Sequence, residues 1–505
     1  MAHASSDALP ALRSYLRTTA EIASCSSLLE WDLETYMPAT GAEHRGRQLE
    51  LLAGFVHDRA TSGQLGELIE EAARTPEAQE EESPAAADLR ETRREYDRQR
   101  KLPRRLVEEL AKLTAEGRMA WVAAKRANDF GLFRPFLERI VALKREEAAA
   151  VGYEDHPYDA LLGYYEPGET AAGLSKLFAP LRDRLADLVR RVVARSPAPL
   201  DDFLARGAPA AAQEAFSRKV AAEIGYDFAA GRLDLTAHPF CSTPGPSDSR
   251  LTTRWNEAAF LDGFYSVLHE AGHGIYEQGL PKEAWGTPCG QAASYGVHES
   301  QSRLWENFVG RSLPFWRRYA PLARECFPSA MRGVSVEALH ASVNVVQPSF
   351  IRIEADEATY NLHIFLRFEL ELAMLSGDLA AADLPGAWNE AFRGMFDLTP
   401  PDDARGCLQD IHWSMGSVGY FPTYTLGNLY AAQLYAAARR ELGDLDTRVA
   451  RGEFAPLLQW LRERVHRHGK RYLPRRLVEL ATGEALDSSA LLRHLEGRFS
   501  ELYGI

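Results

Sequence analysis

Three residues near the middle of the chain, His269, Glu270 and His273, have the types and the spacing of a metal site that also carries a base. Residues four positions apart lie on the same face of a helix, so both imidazoles can bind one metal ion. Glu270, next to the first histidine, can then reach a water molecule on that metal. The sequence therefore predicts a zinc site of the HExxH type, with Glu270 as its general base.

The residues around this motif predict the helix that the spacing requires. Apolar side chains recur at helical intervals between Trp255 and Tyr276, and no proline interrupts the segment. Gly279 and Pro281 then provide a common helix stop. We expect a helix from Trp255 to Tyr276. The alternative is that three polar residues fell into this pattern by chance on an ordinary helix.

A second predicted helix, Gly296 to Ser312, offers the third metal ligand. A catalytic zinc takes three protein ligands and keeps one position open, and Glu299 follows His273 by about 26 residues. His298 is a competing ligand from the same turn. Adjacent residues on a helix point about 100° apart, so only one of the two should face the metal. We expect that residue to be Glu299.

Further motifs along the chain resemble the Taq-type thermostable carboxypeptidase family of zinc metallopeptidases. In chain order they are HPF at 238–240, DSRLT at 248–252, HEAGH at 269–273, HESQ at 298–301, IRIEAD at 351–356 and GCLQDIHW at 406–413. The stretches WDLETYMP at 31–38 and GYFPTY at 419–424 also fit. The resemblance thus covers nearly the whole chain, and it implies a homodimer and a helical body with the metal at the floor of a deep cleft.

Composition and periodicity favour the same fold class. Long stretches rich in Ala, Leu, Glu and Arg repeat the helical period, whereas alternating β-branched runs are scarce. Composition thus favours a mainly α fold, and the resemblance further implies a deep active-site cleft and a small β element near the zinc between Ala229 and Thr253. Residues 1–505 should form a single catalytic domain, in which the helical region of about residues 1–200 contributes part of the cleft wall.

Charge and hydropathy exclude several classes of partner. The formal net charge is −13 and no basic stripe occurs, which argues against nucleic acid. No run of about 18 apolar residues is present, and the first residues do not resemble an export signal, so we expect no membrane association. The five cysteines are scattered without paired spacing, which favours free thiols and a cytoplasmic location.

The resemblance implies a zinc-dependent carboxypeptidase that hydrolyses the C-terminal peptide bond of peptides. Zinc lowers the pKa of its bound water towards roughly 7 and polarises the carbonyl, and Glu270 takes the proton from that water. Co²⁺ could replace Zn²⁺ because affinity and availability compete. His412 and Tyr420 are expected to donate to the oxyanion of the transition state, with Tyr424 as a third candidate.

Recognition of a free C-terminal carboxylate calls for an arginine, whose planar fork donates two parallel hydrogen bonds. Arg352 is the first choice because of the resemblance, and we expect it to begin a long helix from Ile351 to Met374. Arg250 is the second choice, although its neighbours Asp248 and Thr252 could simply order that loop. His238 is held extended by the proline after it and is a further candidate for substrate contact.

Two other functions fit parts of the pattern. A zinc endo-oligopeptidase or a dipeptidyl carboxypeptidase would share the metal helix but would place the carboxylate anchor elsewhere or omit it. A non-catalytic helical binding protein could retain zinc structurally. Glu270 counts against this last function, since a structural site uses four closed ligands and needs no free carboxylate.

Overall fold

The computed structural model describes residues 7–195 and 203–505, which fold mainly into α-helices with one small sheet. The mainly α class and the β element between Ala229 and Thr253 are thereby confirmed. The chain divides into two compact units. The first unit comprises Met1–Gln99, Pro199–Val343 and Tyr430–Leu486, and the second comprises Arg100–Ala198, Asn344–Leu429 and Asp487–Ile505. The single domain and the cleft stay predictions.

The described part of the first unit holds most of the helices. They are α1 (Ala8–Thr35), α2 (Ala42–Ala60), α3 (Gly63–Ala72), α4 (Pro76–Gln79), α5 (Pro84–Lys101), α10 (Ala210–Ile224), α11 (Phe260–Gly279), α12 (Tyr295–Arg303), α13 (Leu313–Cys326), α14 (Val336–Ser342), α18 (Leu445–Arg451), α19 (Ala455–Arg464) and α20 (Pro474–Thr482).

The described residues of the second unit form helices and connecting loops, without a strand. Its helices are α6 (Arg104–Ala127), α7 (Arg134–Val151), α8 (Pro157–Tyr165), α9 (Ala171–Arg195), α15 (Tyr360–Ser376), α16 (Leu384–Phe396) and α21 (Ser489–Tyr503). Helix α17 (Pro422–Leu442) begins in this unit and continues along the chain into the first.

The sheet lies in the first unit and has three strands in the order β1, β3, β2. The strands are β1 (Gly231–Leu235), β2 (Cys241–Gly245) and β3 (Asp248–Thr253). Strand β3 is central, pairing in parallel with β1 and antiparallel with β2, where the register shifts between Ser242 and Gly245. The sheet packs against α11 through β3.

Helix α11 carries the His-Glu-x-x-His motif and is fixed by an aromatic core on its other side. The Phe264 ring lies 5.0 Å from that of Phe216 on α10 and 5.8 Å from that of Trp316 on α13. Phe260 lies 4.6 Å from Phe327, just after α13. Burial of these rings helps to hold the helix in place, since each large aromatic side chain removes a broad apolar area from water.

The predicted boundaries of the two motif helices are largely right and differ at particular residues. Helix α11 begins at Phe260 rather than Trp255, because the Asn256 side chain accepts a hydrogen bond from the Ala258 amide and forms a local turn. Helix α12 begins after Ser294, whose hydroxyl accepts from the Val297 amide. It continues as a π-helical segment, Leu304–Val309.

The prediction of one long helix from Ile351 to Met374 is wrong. Arg352–Glu354 forms a single 3₁₀ turn, and α15 begins only at Tyr360. The cause is Asp356, whose carboxylate accepts hydrogen bonds from the amides of Ala358 and Thr359 and from the Thr359 hydroxyl. A short acidic side chain that binds the following amides favours a turn or a helix start over a continuous helix.

Two expectations drawn from composition can be compared with the structure. All five cysteines are free thiols, and they lie at Cys25, Cys241, Cys289, Cys326 and Cys407. Among residues 7–195 and 203–505, no helix has the length and apolar character needed to cross a membrane.

Helices α11 and α12 approach each other closely at Gly272. A Cβ atom on this residue would lie 2.5 Å from the Cα atom of Ser302 and 2.6 Å from the carbonyl oxygen of Gln301. Both neighbours are backbone atoms of α12, so a side chain here would have to push the two helices apart. Glycine at 272 therefore sets the distance between the helix that carries the histidines and the helix that carries Glu299.

Substitution of this glycine tests the close approach. We expect Gly272→Ala to lower the free energy of unfolding by about 1–3 kcal/mol, because the added methyl group overpacks a backbone contact. Gly394→Ala in α16 is the matched control, since its Cβ would meet nothing within 4 Å. The control should be neutral or slightly stabilising. Urea unfolding followed by circular dichroism measures both, and equal midpoints for the two variants would contradict the role of Gly272.

Candidate metal centre and substrate-binding residues

The predicted metal ligands lie together in the first unit. His269 and His273 occupy successive turns of α11, and Glu299 lies on α12. The Nε2 atoms of His269 and His273 are each 3.7 Å from the same oxygen, Glu299 Oε2. One ligand atom from each of the three residues lies within 4.8 Å of the others, and no other such group occurs among the described residues.

This arrangement fits a tetrahedral zinc ion. Two ligands bound at about 2.0–2.2 Å with tetrahedral geometry are roughly 3.4 Å apart, close to the separations observed here. Two imidazole nitrogens and one carboxylate oxygen are also a ligand set that zinc uses in hydrolytic enzymes. The three residues can therefore hold the ion and leave a fourth position for water or substrate.

Hydrogen bonds from the second ring nitrogens orient both histidines. His269 Nδ1 lies 2.8 Å from Glu306 Oε2, and His273 Nδ1 lies 3.1 Å from the carbonyl oxygen of His298. Both partners accept hydrogen bonds, so each Nδ1 donates, and each ring in its neutral form presents a bare Nε2. This is the state in which an imidazole binds a metal. Glu306 and the His298 carbonyl are thus the outer partners of the two histidines, and sequence reasoning did not identify them.

Glu306 is itself held by arginines. Its Oε2 atom accepts from Arg303 at 3.2 Å, and its Oε1 atom lies 3.4 Å from Arg311. Burial opposes its charge, but Arg303 and the bond to His269 outweigh burial and hold the pKa of Glu306 well below its usual range. A permanent carboxylate is thus the acceptor for His269. The signal available in the sequence was the seven-residue spacing from Glu299, which is about two helical turns.

Glu270 is the buried carboxylate next to the ligands, with 7% of its surface exposed. Burial raises the pKa of Glu270 to about 7, and the neighbouring Glu299 adds to this effect. A divalent cation bound close by would favour the ionised form. A carboxylate with a pKa near the working pH is suited to accept a proton and return it, which is the task of a general base.

His298 does not join the ligand group. Its Nε2 atom lies 2.9 Å from Glu277 Oε1, and its ring stacks on that of His273 at 4.4 Å. Its backbone oxygen, and not its ring, serves the metal site. Of the two adjacent candidates, Glu299 is therefore the one that faces the histidines.

Arg250 lies on β3 and is paired with an acid. Its Nε and Nη2 atoms donate to the two oxygens of Asp248, each at 2.8 Å. The guanidinium stacks on the Trp31 ring, 4.4 Å from its centroid. The charge of Arg250 is thus locally neutralised.

His238 is exposed in the bend between β1 and β2 and is not part of a strand. Thr252 orders this bend, since its hydroxyl donates to the Phe240 oxygen at 2.9 Å and accepts from the Phe240 amide at 2.8 Å. Two motifs that are separate in the sequence, HPF and DSRLT, therefore form one hydrogen-bonded unit.

Arg352, in the second unit, belongs to a buried cluster with two guanidinium groups and one carboxylate. Arg352 Nε and Arg367 Nε donate to different oxygens of Asp410, at 2.9 and 2.6 Å. Arg352 Nη1 also donates to the Tyr360 hydroxyl at 3.0 Å. Burial disfavours the charge of Asp410, but the two arginines outweigh it and hold the pKa of this carboxyl well below its usual range.

His412 and Tyr420 lie next to this cluster in the same unit. His412 Nε2 lies 3.1 Å from the Tyr424 hydroxyl, and its ring centroid is 5.4 Å from that of Tyr420. Burial and then the positive field of Arg352 lower the pKa of His412 to about 3, so the imidazole is neutral at pH 7. A neutral imidazole can donate one hydrogen bond while it accepts another.

Comparison with known proteins points to one family. Residues 11–499 match the model of the family described as carboxypeptidase Taq (M32) metallopeptidase. The chain is 48% identical over 502 residues to thermostable carboxypeptidase 1 of Thermus thermophilus, covering 98% of both proteins. It is 39% identical over 477 residues to carboxypeptidase 1 of Bacillus subtilis, covering 94% of this chain and 95% of that protein.

A solved structure agrees with the sequence comparisons. The crystal structure of an M32 carboxypeptidase from Deinococcus radiodurans superposes with a TM-score of 0.95 at 42% identity. The match covers 99% of this chain and 100% of that one.

The outer carboxylate Glu306 provides a test of the metal centre. We expect Glu306→Gln to weaken zinc affinity by about 10–100-fold, because the amide binds the His269 N–H less strongly and no longer balances Arg303. Glu277→Gln is the matched control, since Glu277 contacts His298 and not a ligand. Competition with a chromogenic chelator measures the affinities. Equal zinc affinities for Glu306→Gln and the unmodified protein would contradict the role of Glu306.

Proposed function

We propose, from the premise that this chain belongs to the carboxypeptidase Taq (M32) metallopeptidase family and is a metallocarboxypeptidase, that it releases single residues from the C-termini of peptides. We further propose that it does so with a zinc ion held by His269, His273 and Glu299. The observation that carries this proposal is the position of Glu299 Oε2, which is 3.7 Å from both imidazole Nε2 atoms, beside the buried carboxylate of Glu270.

The zinc ion and the side chains of the protein would have different roles in the reaction. Zinc in this site would polarise the scissile carbonyl and lower the pKa of a water molecule towards roughly 7. Glu270 would accept the proton of that water and later pass it to the leaving amine. Glu306 and the His298 carbonyl accept the Nδ1 protons of His269 and His273, so in each neutral ring Nε2 is the atom available to the zinc ion.

His412 and Tyr420 are proposed as donors to the oxyanion that forms during attack. The low pKa of His412, about 3, supports this role because the neutral ring keeps a donor without an extra proton. Tyr424 orients His412 through the 3.1 Å contact with its Nε2 atom. Donors fixed before the reaction stabilise the developing charge at little reorganisation cost.

Arg352 is proposed as the anchor for the substrate carboxylate, ahead of Arg250. Two guanidinium groups share the single carboxylate of Asp410, so the cluster around Arg352 carries one positive charge in excess. Arg250 instead forms a neutral bidentate pair with Asp248. A buried site with excess positive charge favours a bound anion, whereas a neutral pair has less to gain. His238, exposed beside β2, is retained as a further substrate contact.

Mass spectrometry of peptide products tests the proposed reaction. A peptide with a blocked N-terminus should lose single C-terminal residues in a ladder when mixed with the zinc-loaded protein. Glu270→Gln should lower kcat by at least about 100-fold without loss of zinc, because the base is removed while the ligands remain. Removal of the metal with a chelator should also abolish the ladder, and added zinc should restore it.

The same assay separates the alternatives. A C-terminally amidated peptide should be a poor substrate, and Arg352→Met should reduce the preference for the free acid. Loss of two residues at a time would identify a dipeptidyl carboxypeptidase, and internal fragments an endo-oligopeptidase; either would contradict the anchor role of Arg352. Absence of cleavage over a wide peptide set would indicate a zinc-containing binding protein. Elemental analysis of the purified protein would distinguish zinc from cobalt as the native metal.

A homodimer and a cytoplasmic location are also proposed. No residue of the 19-residue helix α2 is buried, and its Leu51 and Phe55 are 61% and 51% exposed. Two large exposed apolar side chains on one helix favour burial of that helix against a second copy of the chain. The five free thiols support the cytoplasm, which cell fractionation would test.

Sedimentation velocity tests the dimer. The protein should sediment with twice the chain mass of 56.2 kDa, and the double substitution Leu51→Glu with Phe55→Glu should give the monomer. Val122→Glu is the matched control, because Val122 is 53% exposed on a different helix, α6. A monomeric unmodified protein at micromolar concentration would contradict the dimer, and a dimer that survives the double substitution would place its interface elsewhere.

A further inference from the structure

Glu371 on α15 is a buried carboxylate with no assigned role in the proposed reaction. It is fully buried, and three groups donate hydrogen bonds to it. Trp413 Nε1 donates to Oε1 at 2.8 Å. The Tyr158 hydroxyl and the Gly419 amide donate to Oε2 at 2.7 and 3.1 Å. The carboxylate therefore joins three parts of the second unit at one point.

Two of the three donors belong to the segment 412–420, which we call the donor loop because it begins at His412 and ends at Tyr420. Trp413 follows His412 directly, and Gly419 directly precedes Tyr420. Glu371 thus binds the residue adjacent to each proposed oxyanion donor. A fixed point next to each end limits how far either side chain can move.

The backbone of the donor loop needs such support. Gly416 and Gly419 have φ values of 68° and 93°, a region that residues with a Cβ rarely adopt. A Cβ on Gly419 would also lie 3.0 Å from the Leu162 amide of α8. Within the loop, the Ser417 amide donates to the His412 oxygen at 2.9 Å. The loop therefore follows a path close to α8 that requires glycine at two positions, and Glu371 holds it there.

The electrostatics of the site require an acid at this position. Burial raises the pKa of Glu371 to about 7, while the bonds from Tyr158, Trp413 and Gly419 and the positive charge of Arg367 favour the ionised form. Leucine or phenylalanine at this position would leave the Trp413 and Gly419 N–H groups without an acceptor. An unsatisfied buried donor lowers stability, and an acid with two oxygens avoids this loss.

We propose that Glu371 is a positioning residue that fixes both ends of the donor loop and so holds the side chains of His412 and Tyr420 in place. This inference rests on the proposed function, in which those two side chains donate to the oxyanion. Glu371 itself touches neither substrate nor metal in this scheme.

The substitution Glu371→Gln is the sharpest test because of the geometry of its donors. Trp413 and Gly419 bind different oxygens, and glutamine has only one oxygen. In either orientation of the amide, its NH₂ group would face a loop N–H, and one end of the donor loop would lose its acceptor. Tyr158→Phe is the matched control, because it removes one donor from the same carboxylate and leaves both loop bonds intact.

Three measurements on the zinc-loaded protein read out the effect. For Glu371→Gln we expect kcat to fall by about 10–100-fold with KM nearly unchanged, since a misplaced oxyanion donor affects the transition state more than substrate binding. Amide hydrogen exchange in peptides that span 412–420 should accelerate, and the zinc content should stay at one ion per chain. Tyr158→Phe should stay close to the unmodified protein in all three measurements.

The outcomes separate this inference from the proposed function. If the unmodified protein produces no single-residue ladder, the proposed function fails. If it does, and Glu371→Gln keeps its kcat and its exchange rates, the positioning role is overturned. Equal losses in Glu371→Gln and Tyr158→Phe would also overturn it, because the effect would then come from the carboxylate's environment and not from the loop.

A second variant keeps the test decisive should Glu371→Gln fail to fold. Trp413→Phe removes only the bond to Oε1 and retains an aromatic ring in the core. It should lower kcat and accelerate exchange near His412 while the charge of Glu371 is retained. An unchanged kcat in a folded Trp413→Phe variant would count against the proposal as clearly as an unchanged Glu371→Gln.

Discussion

The close contact between α11 and α12 at Gly272 is the constraint on which the metal centre depends. A helix spaces two histidines four residues apart by its own geometry, but it cannot place the third ligand, which comes from another helix. The third ligand is placed by the distance between helices, and that distance is set by the absence of a side chain at 272. The aromatic core behind Phe264 presses α11 from the other side, so the contact is supported on both faces.

In each unit, a carboxylate with little solvent exposure is kept ionised by neighbouring arginines. In the first unit, Glu306 binds His269 and is kept ionised by Arg303. In the second, Asp410 is kept ionised by Arg352 and Arg367. A buried charge is tolerated only when it is paired and hydrogen-bonded, and removal of one partner leaves the other unpaired at high cost. These clusters therefore fix the protonation states and positions of their members, Glu306 in the first unit and Asp410 in the second.

Sequence reasoning agrees with the structure where one helical period decides the arrangement, since the spacing of His269 and His273 placed both on one face of α11. Sequence reasoning also favoured Glu299 over His298 as the third candidate ligand, a prediction that the 3.7 Å contacts support. It failed at Ile351–Met374, where the apolar pattern suggested one helix and Asp356 starts a turn by binding the amides that follow it. The pattern records which face is apolar, whereas a single side-chain hydrogen bond decides where a helix begins.

The residues that sequence reasoning missed share a physical reason. Glu306 and Glu371 act through hydrogen bonds to other parts of the chain, Glu306 across 37 residues to His269 and Glu371 across 42 residues to Trp413. No helical or strand period relates such pairs, so only the fold brings them together. Reactive residues can be identified from their own chemistry, because a metal or a proton dictates their type. The residues that orient these reactive residues can be of any type that completes a local set of hydrogen-bond donors and acceptors. That set exists only after folding.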